Sequence, residues 1–286
     1  MKAIEHALKL LACPNDLKEL TSQSRGLVCT SCRHQYPTNE GIVHFVSSED
    51  DRPANPKALA KDYAEHSPNL LHVDYYRFQA TQKEQMYQTN PAVKSAVDFI
   101  LANGDAIVDL ATGHSGSYIV PIVRRLASSS ILIATDACQP VIENWHAYLA
   151  PQYSDRFLFF DIDLEKKLSF SDEAVDVFTG LLISNVNGGN PDVLLREVHR
   201  CLKPSGFAVF QEMFFADQSA TAQMLERQGN MYASLTSFTN YSRSIGLETV
   251  RTDSAINGVG KICPGDGLPI NDLDQWSQTI VYLRKL

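Results

Sequence analysis

Three acidic side chains recur in the middle of the chain, each at the end of an apolar run. Asp109 follows Ile107 and Val108, Asp136 follows Ser130 to Thr135, and Asp161 follows Arg156 to Phe160. After the first acid come Ala111, Thr112, Gly113, His114, Ser115 and Gly116, and then the helical stretch Tyr118 to Leu126. An apolar strand, a turn of small residues and a helix together hold a ligand at the carboxyl end of the strand. A dinucleotide would bring phosphate to that turn, and a carboxylate at the strand tip repels it. An ammonium or sulfonium is attracted by the same carboxylate. The acid of the second tip can accept both ribose hydroxyls. The third can accept from an adenine amino group while Ile162 packs on the ring. Acids are poor strand formers, so three such tips in succession call for a reason. Three helix N-caps are the competing one.

S-Adenosylmethionine carries both cations and no phosphate, and the tip carboxylates favour it over a dinucleotide. Methyl transfer from it is an in-line displacement that leaves a neutral thioether, so alignment and exclusion of water are the main tasks. A base is needed only where the nucleophile arrives protonated. None of the eight histidines is marked by a motif.

A second group of chemistry-bearing residues lies near the N-terminus. Cys13 and Asp16 stand three apart, as do Cys29 and Cys32, with a short hairpin between the pairs. Two such turns build a tetrahedral zinc ribbon. Asp16 takes the place of a fourth cysteine, and His34 is the other candidate for that position. A ribbon without metal, held by packing, is the alternative.

The elements that must position these groups follow from periodicity. Met1 to Leu11 reads as a short helical or extended lead-in, and Ser47 to Pro56 as a polar linker. Lys57 to His66 and Gln82 to Leu101 read as helices, with Leu70 to Phe78 between them. Ala174 to Phe178 and Leu202 to Phe210 supply a fourth and a fifth strand. Ala216 to Gly229 and Met231 to Ile245 read as helices, Leu247 to Thr252 as a sixth strand, Asn257 to Ile270 as a loop and Trp276 to Arg284 as a seventh strand.

Asp109-Leu-Ala-Thr-Gly113-His-Ser-Gly116 resembles the first motif of the class I S-adenosylmethionine-dependent methyltransferases, acid-x-Gly-x-Gly-x-Gly, with Ala111 and Ser115 replacing glycines and Gly116 one place late. Leu202-Lys-Pro-Ser-Gly206 is similar to that family's turn into the fifth strand. Leu182 to Val186, with Leu195-Arg-Glu-Val-His-Arg200, is close to its quinone-biosynthesis and small-molecule branch. The match covers roughly the last two-thirds of the chain.

The resemblance implies an α/β fold: a Rossmann-like seven-stranded sheet with helices on both faces and its last strand antiparallel beside the sixth. It implies cofactor contacts from Asp109, Ala111, Thr112, Gly113 and His114 in the first turn. Asp136 and Ala137 follow at the second tip, Asp161 and Ile162 at the third, and Gly180 and Leu181 at the fourth. The stretch before the core covers the cofactor in that family and helps form the acceptor pocket, which makes His72, Tyr75 and Tyr76, with His66, the candidates for acid–base work; ordinary packing is the alternative for the aromatics. Asn185 and Asn187, after the fourth strand, could hold a polar acceptor or shape a loop. His146 and His199 fall on outer helices.

Cys13-Pro14, Cys29-x-x-Cys32, Tyr36-Pro37 and Gly41-Ile42 together resemble the zinc ribbon of the tRNA-methyltransferase activator family. The domain expectation is therefore a ribbon-like β domain over residues 1–48, a linker and helical lid over 49–103, and the cofactor-binding domain over 104–286.

The 286 residues, 44% hydrophobic and 20% charged, suffice for a full core. A net charge of −8 argues against a broad nucleic-acid footprint. No apolar run reaches the roughly 20 residues of a membrane span. Six cysteines without a disulfide framework point to a reducing, cytoplasmic setting. The expected partner is a small-molecule acceptor, with neither nucleic acid nor membrane, and a homodimer is the assembly left open. The rival functions are an rRNA or tRNA methyltransferase, and a non-catalytic cofactor-binding protein whose ribbon docks a partner.

Overall fold

The computed structural model describes residues 2–39, 41–46, 61–62, 64–183, 191–261 and 269–286. Its organising strand is β5 (Ala106–Leu110), buried at all five positions. Such a strand needs cover on both faces, and it pairs in parallel with β6 (Ile131–Asp136) on one side and β8 (Val175–Leu181) on the other. β7 (Phe157–Asp161) continues beyond β6, and β9 (Leu202–Phe215) beyond β8. β11 (Gln275–Lys285) inserts between β9 and β10 (Leu247–Val259), antiparallel to both. These seven strands include the antiparallel final strand beside the sixth that the family resemblance implies.

Alternate residues divide the core in two. Ile107, Leu132 and Phe159 face one side, where α2 (Val73–Thr89), α3 (Pro91–Asn103), α4 (Ile119–Arg125) and α5 (Gln139–Tyr153) pack. Val108, Ile133 and Phe160 face the other, covered by α1 (Lys2–Leu8), α6 (Pro191–Cys201) and α8 (Leu235–Ser244), while α7 (Ala220–Arg227) follows β9.

The single helix expected over 82–101 is two helices, broken between Thr89 and Pro91. Proline lacks the N–H that would continue the first helix, and it suits the first turn of the next. The Asn90 side chain caps that turn, accepting from the N–H groups of Ala92 and Val93 at 3.0 and 3.3 Å. α2 also starts earlier than periodicity suggests and takes in Tyr75, Tyr76 and Phe78.

The N-terminal hairpins β1 (Leu20–Gln23), β2 (Gly26–Cys29), β3 (Gln35–Asn39) and β4 (Ile42–His44) form an antiparallel meander. β4 then pairs in parallel with β7, so eleven strands run through one sheet. Residues 162–174, which connect β7 to β8, contain no helix. α1 and the segment after it cover that part of the sheet face: Leu11 bridges Phe170, and the N–H of Ser171 donates to the Leu10 carbonyl at 2.8 Å. Leu20, Leu27, Tyr36 and Val43 of the hairpins share one apolar cluster with Ile133 and Phe160 of the central sheet. The polar stretch 47–56, read as a linker, lies outside the described residues.

Candidate functional site

The carboxyl ends of β5, β6 and β7 lie side by side, with Asp109 opposite Ala134 and Asp136 opposite Asp161. The turn after β5 holds Ala111, Gly113 and Gly116 at positive φ of 47°, 63° and 78°. At Gly116 a Cβ would stand 2.3 Å from the Trp145 ring, so the position needs glycine for space as well as for backbone conformation. Trp145, on α5, donates from Nε1 to the Gly113 carbonyl at 2.9 Å. The late second glycine thus has a physical reason: Trp145 fills the space above residue 116 and clamps the turn.

Each of the three acids has its own surroundings. Asp109 is fully buried, and Thr112 donates to its Oδ2 at 2.6 Å. Its Oδ1 is buried with no hydrogen-bond partner among the described residues. Burial pushes this carboxyl up to about 7, against the Thr112 and Ser117 hydroxyls and the Lys83 charge, which pull it down. Asp136 accepts from the Gly113 N–H at Oδ2 and the Cys138 N–H at Oδ1, both at 2.8 Å. Burial raises its carboxyl as well, opposed by those amides. Each oxygen of a carboxylate has two lone-pair positions, so acceptor capacity remains for two hydroxyls.

Asp161 is engaged from the hairpin side. His44 lies 2.7 Å from its Oδ2, and the N–H groups of Phe45 and Val46 donate to Oδ1, the second at 3.0 Å. The hydrogen bond to Asp161 holds His44 above the usual imidazole range, against the effect of burial. Ile162 is 1% exposed, in the apolar cluster shared with the hairpins, and its N–H donates to the Asp136 carbonyl at 3.0 Å. Ala137 is half-buried beside Asp136. Gly180 and Leu181 end β8 opposite Leu110 and Gln211.

α2 lies across this row. Tyr75 is half-buried with its ring 5.9 Å from the His114 ring. Burial lowers the His114 imidazole from its ordinary value, and the nearby Lys83 adds to the effect. Tyr76 is fully buried, edge-on to Trp145 at 5.0 Å, with its hydroxyl donating to the Leu70 carbonyl at 2.9 Å. That bond ties α2 to the 3₁₀ turn Pro68–Leu71. His72 is exposed at the start of α2, and His66 is exposed and faces Asp62. Asn185 and Asn187 lie outside the described residues.

Sequence reasoning passed over three side chains that belong to the site. Lys83 shares the inward stripe of α2 with Tyr76 and Ala80, a helical spacing that could have drawn attention to a charge among buried neighbours. Tyr118 and Gln211 carried no signal; the Tyr118 hydroxyl donates to Gln211 Oε1 at 2.7 Å.

In the hairpins, ligand atoms of Cys13, Asp16, Cys29 and Cys32 lie within 4.8 Å of one another. Cys13 Sγ is 3.6 Å from Cys32 Sγ, and Cys29 Sγ is 3.4 Å from Asp16 Oδ1. A tetrahedral zinc with Zn–S of about 2.3 Å and Zn–O of about 2.1 Å has sulfur–sulfur and sulfur–oxygen edges of about 3.7 and 3.6 Å, so the donors fit that ion. Asp16 completes the cluster. His34 instead packs on Tyr36 at 4.8 Å. The Tyr36 hydroxyl lies 3.0 Å from Cys13 Sγ, and its ring is 4.9 Å from Phe45, which in turn is 5.6 Å from Phe160 of β7.

Residues 108–210 match the family model described as Methyltransferase domain. A search of curated proteins finds no match. Among solved structures, the [4+2]-cyclase SpnF is 15% identical with a TM-score of 0.50, covering 68% of this chain and 81% of its own. The geranyl diphosphate C-methyltransferase from Streptomyces coelicolor A3(2), solved with Mg2+, geranyl diphosphate and S-adenosyl-L-homocysteine, is 12% identical with a TM-score of 0.50, covering 68% and 79%. A chain of the Haloferax volcanii complex that contains the Trm112 methyltransferase activator is 18% identical with a TM-score of 0.47, covering 74% and 96%. At 15% and 12% identity the likeness to the cyclase and the C-methyltransferase speaks for the fold alone, and the cyclase shows that the fold also serves other chemistry.

Proposed function

We propose that this chain, an S-adenosylmethionine-dependent methyltransferase by the domain it carries at residues 108–210, methylates a small-molecule acceptor under the α2 lid. The observation that carries the reading is the buried, unpartnered Oδ1 of Asp109 beside the glycine turn. An isolated buried carboxylate is costly, and a cationic nucleoside offsets that cost where a phosphate would add to it. Asp109 faces the cation, Asp136 offers acceptors to the ribose, and the turn from Ala111 to His114 supplies a close-fitting backbone. When bound, S-adenosylmethionine supplies an activated methyl group on a sulfonium. The chain's own part is to align the acceptor and exclude water, and Tyr75 and His114 are the side chains placed to do so. The lowered imidazole of His114 keeps it neutral near pH 7 and able to accept a proton.

We read residues 1–48 as the ribbon module, 49–103 as linker and lid, and 104–286 as the cofactor-binding unit. Zinc held by Cys13, Asp16, Cys29 and Cys32 would serve to fix the hairpins against β7. The five described cysteines form no disulfide with one another, which is in keeping with a reducing, cytoplasmic setting. No helix among the described residues is long and apolar enough to cross a membrane. Incubation with methyl-labelled S-adenosylmethionine and a metabolite extract should label a small molecule. Label appearing only in added total RNA would favour the nucleic-acid reading, and cofactor binding without any turnover would favour the non-catalytic one.

A further inference from the structure

The family resemblance gives the tip of β7 to the base of the cofactor, with Asp161 on the amino group and Ile162 on the ring. In this chain the hairpins occupy both residues. The two acceptor positions of Asp161 Oδ1 are filled by the N–H groups of Phe45 and Val46, and its Oδ2 faces His44 Nδ1 at 2.7 Å. The Phe45 N–H also reaches the Asp161 carbonyl at 3.2 Å, so residues 44–46 run over the end of the strand. Ile162, 1% exposed, has no face left for a ring. His44 stands at the outer end of the row instead. Parallel pairing sets Asp136, Asp161 and His44 side by side on β6, β7 and β4. Neighbouring strands are about 4.8 Å apart, so His44 lies about 10 Å from Asp136. A nucleoside with its ribose hydroxyls on Asp136 reaches that far with the edge of its base. His44 shares the face of β4 that carries Ile42, which lies in the apolar cluster with Val141 and Trp145 of α5. The Glu143 charge on the same helix acts on it as well. The imidazole thus stands between the β7 tip and the helix that follows Asp136, partly exposed, and among the described residues its Nε2 has no hydrogen-bond partner.

We propose that His44, carried by the hairpin module, is the residue that reads the 6-amino group of the cofactor's base, and that Asp161 orients it. Resting on the methyltransferase reading, this assignment moves the contact from the third strand tip to the N-terminal hairpins. A carboxylate only accepts, so in the neutral imidazole the proton lies on Nδ1 and Nε2 presents a lone pair. That lone pair accepts from an amino group and repels a 6-oxo group. The hairpins then complete the cofactor site from outside the methyltransferase domain, whose matched residues 108–210 include Asp161 but not His44.

The test is calorimetric titration of the wild type, His44→Phe and His44→Gln with S-adenosylhomocysteine and S-inosylhomocysteine at about pH 9, where the imidazole is neutral. The wild type should prefer the adenosyl form by roughly tenfold, the worth of one hydrogen bond. His44→Phe should bind the two alike. His44→Gln, whose amide can donate to Asp161 and accept from the base, should keep much of the preference. A merely structural role would weaken both ligands together and leave their ratio unchanged. NMR of carbon-labelled histidine rings in the wild type gives a second readout. The His44 signal, assigned by its loss in His44→Gln, should shift on saturation with S-adenosylhomocysteine and stay in place with homocysteine. A wild type without the preference, a preference kept in His44→Phe, or an unmoved His44 signal overturns the proposal and leaves the methyltransferase reading standing. A wild type that binds neither nucleoside overturns both. Should His44→Phe fail to fold, the shift of the wild-type ring decides.

Discussion

The cysteine cluster and the row of strand-tip acids are both sets of ligand atoms brought together by turns, yet they are built in opposite ways. In the hairpins four donors converge within 4.8 Å on one point, as a metal ion demands. At the strand tips three chemically identical carboxylates diverge. Asp109 is buried with a free oxygen, Asp136 is bound to two backbone N–H groups, and Asp161 is held by His44, Phe45 and Val46 of the hairpin side. Spacing in sequence is enough to announce a candidate metal cluster, because the ion imposes the geometry, but it leaves the fourth ligand to the fold. A row of like acids on parallel strands fixes location only, and the neighbours of each acid decide its job.

The largest effect is expected from the metal side. Cys29→Ser should reduce zinc, counted by elemental analysis, from about one ion per chain to near zero, because a structural site needs all four donors. A wild type that binds no zinc would make the hairpins a bare ribbon. Gly116→Val should come next, since it forces a positive φ on a branched residue and drives it into Trp145. Backbone strain and overpacking each cost about 1–3 kcal/mol, and a drop in Tm of several degrees should follow, with cofactor affinity falling too. An unchanged Tm would show that Trp145 does not clamp the turn.

Asp136→Ala should weaken cofactor binding by about 1.5–3 kcal/mol by calorimetry, the scale of hydrogen bonds to a charged group. Asp161→Ala should act more on the attachment of the hairpins, seen as faster amide exchange in β4, than on affinity. Equal losses of affinity in both variants would erase the contrast between the two tips.

The smallest effect concerns His44. Its folded-state pKa is raised above the ordinary 6.5, so its bond to Asp161 contributes fully below that value. The contribution fades as pH rises through the raised value. Protection of the β4 amides should therefore decline as pH rises above about 6.5. His44→Gln should flatten that decline.

Much of this architecture could be read from residue types. The apolar runs before Asp109, Asp136 and Asp161 locate three strands to within a residue or two, because buried parallel strands are continuous apolar segments. The cysteine pairs announce their cluster, though only the fold separates Asp16 from His34. The parallel pairing of β4 with β7 was not legible, since three residues of Ile42–His44 carry no mark of their partner. For the same reason the engagement of Asp161 was hidden: its partners lie more than a hundred positions away in sequence. Pro91 did announce a helix break, but the apolar spacing around it reads as continuous. Lys83 was hidden in a helix whose overall pattern is only weakly amphipathic.

A crystal structure of the full chain with S-adenosylhomocysteine tests the central claim most directly. The expected result has both ribose hydroxyls within hydrogen-bond distance of Asp136 and the amino group on the Asp109 side of the glycine turn. A nucleoside bound elsewhere, with both carboxylates still facing only protein, would contradict it.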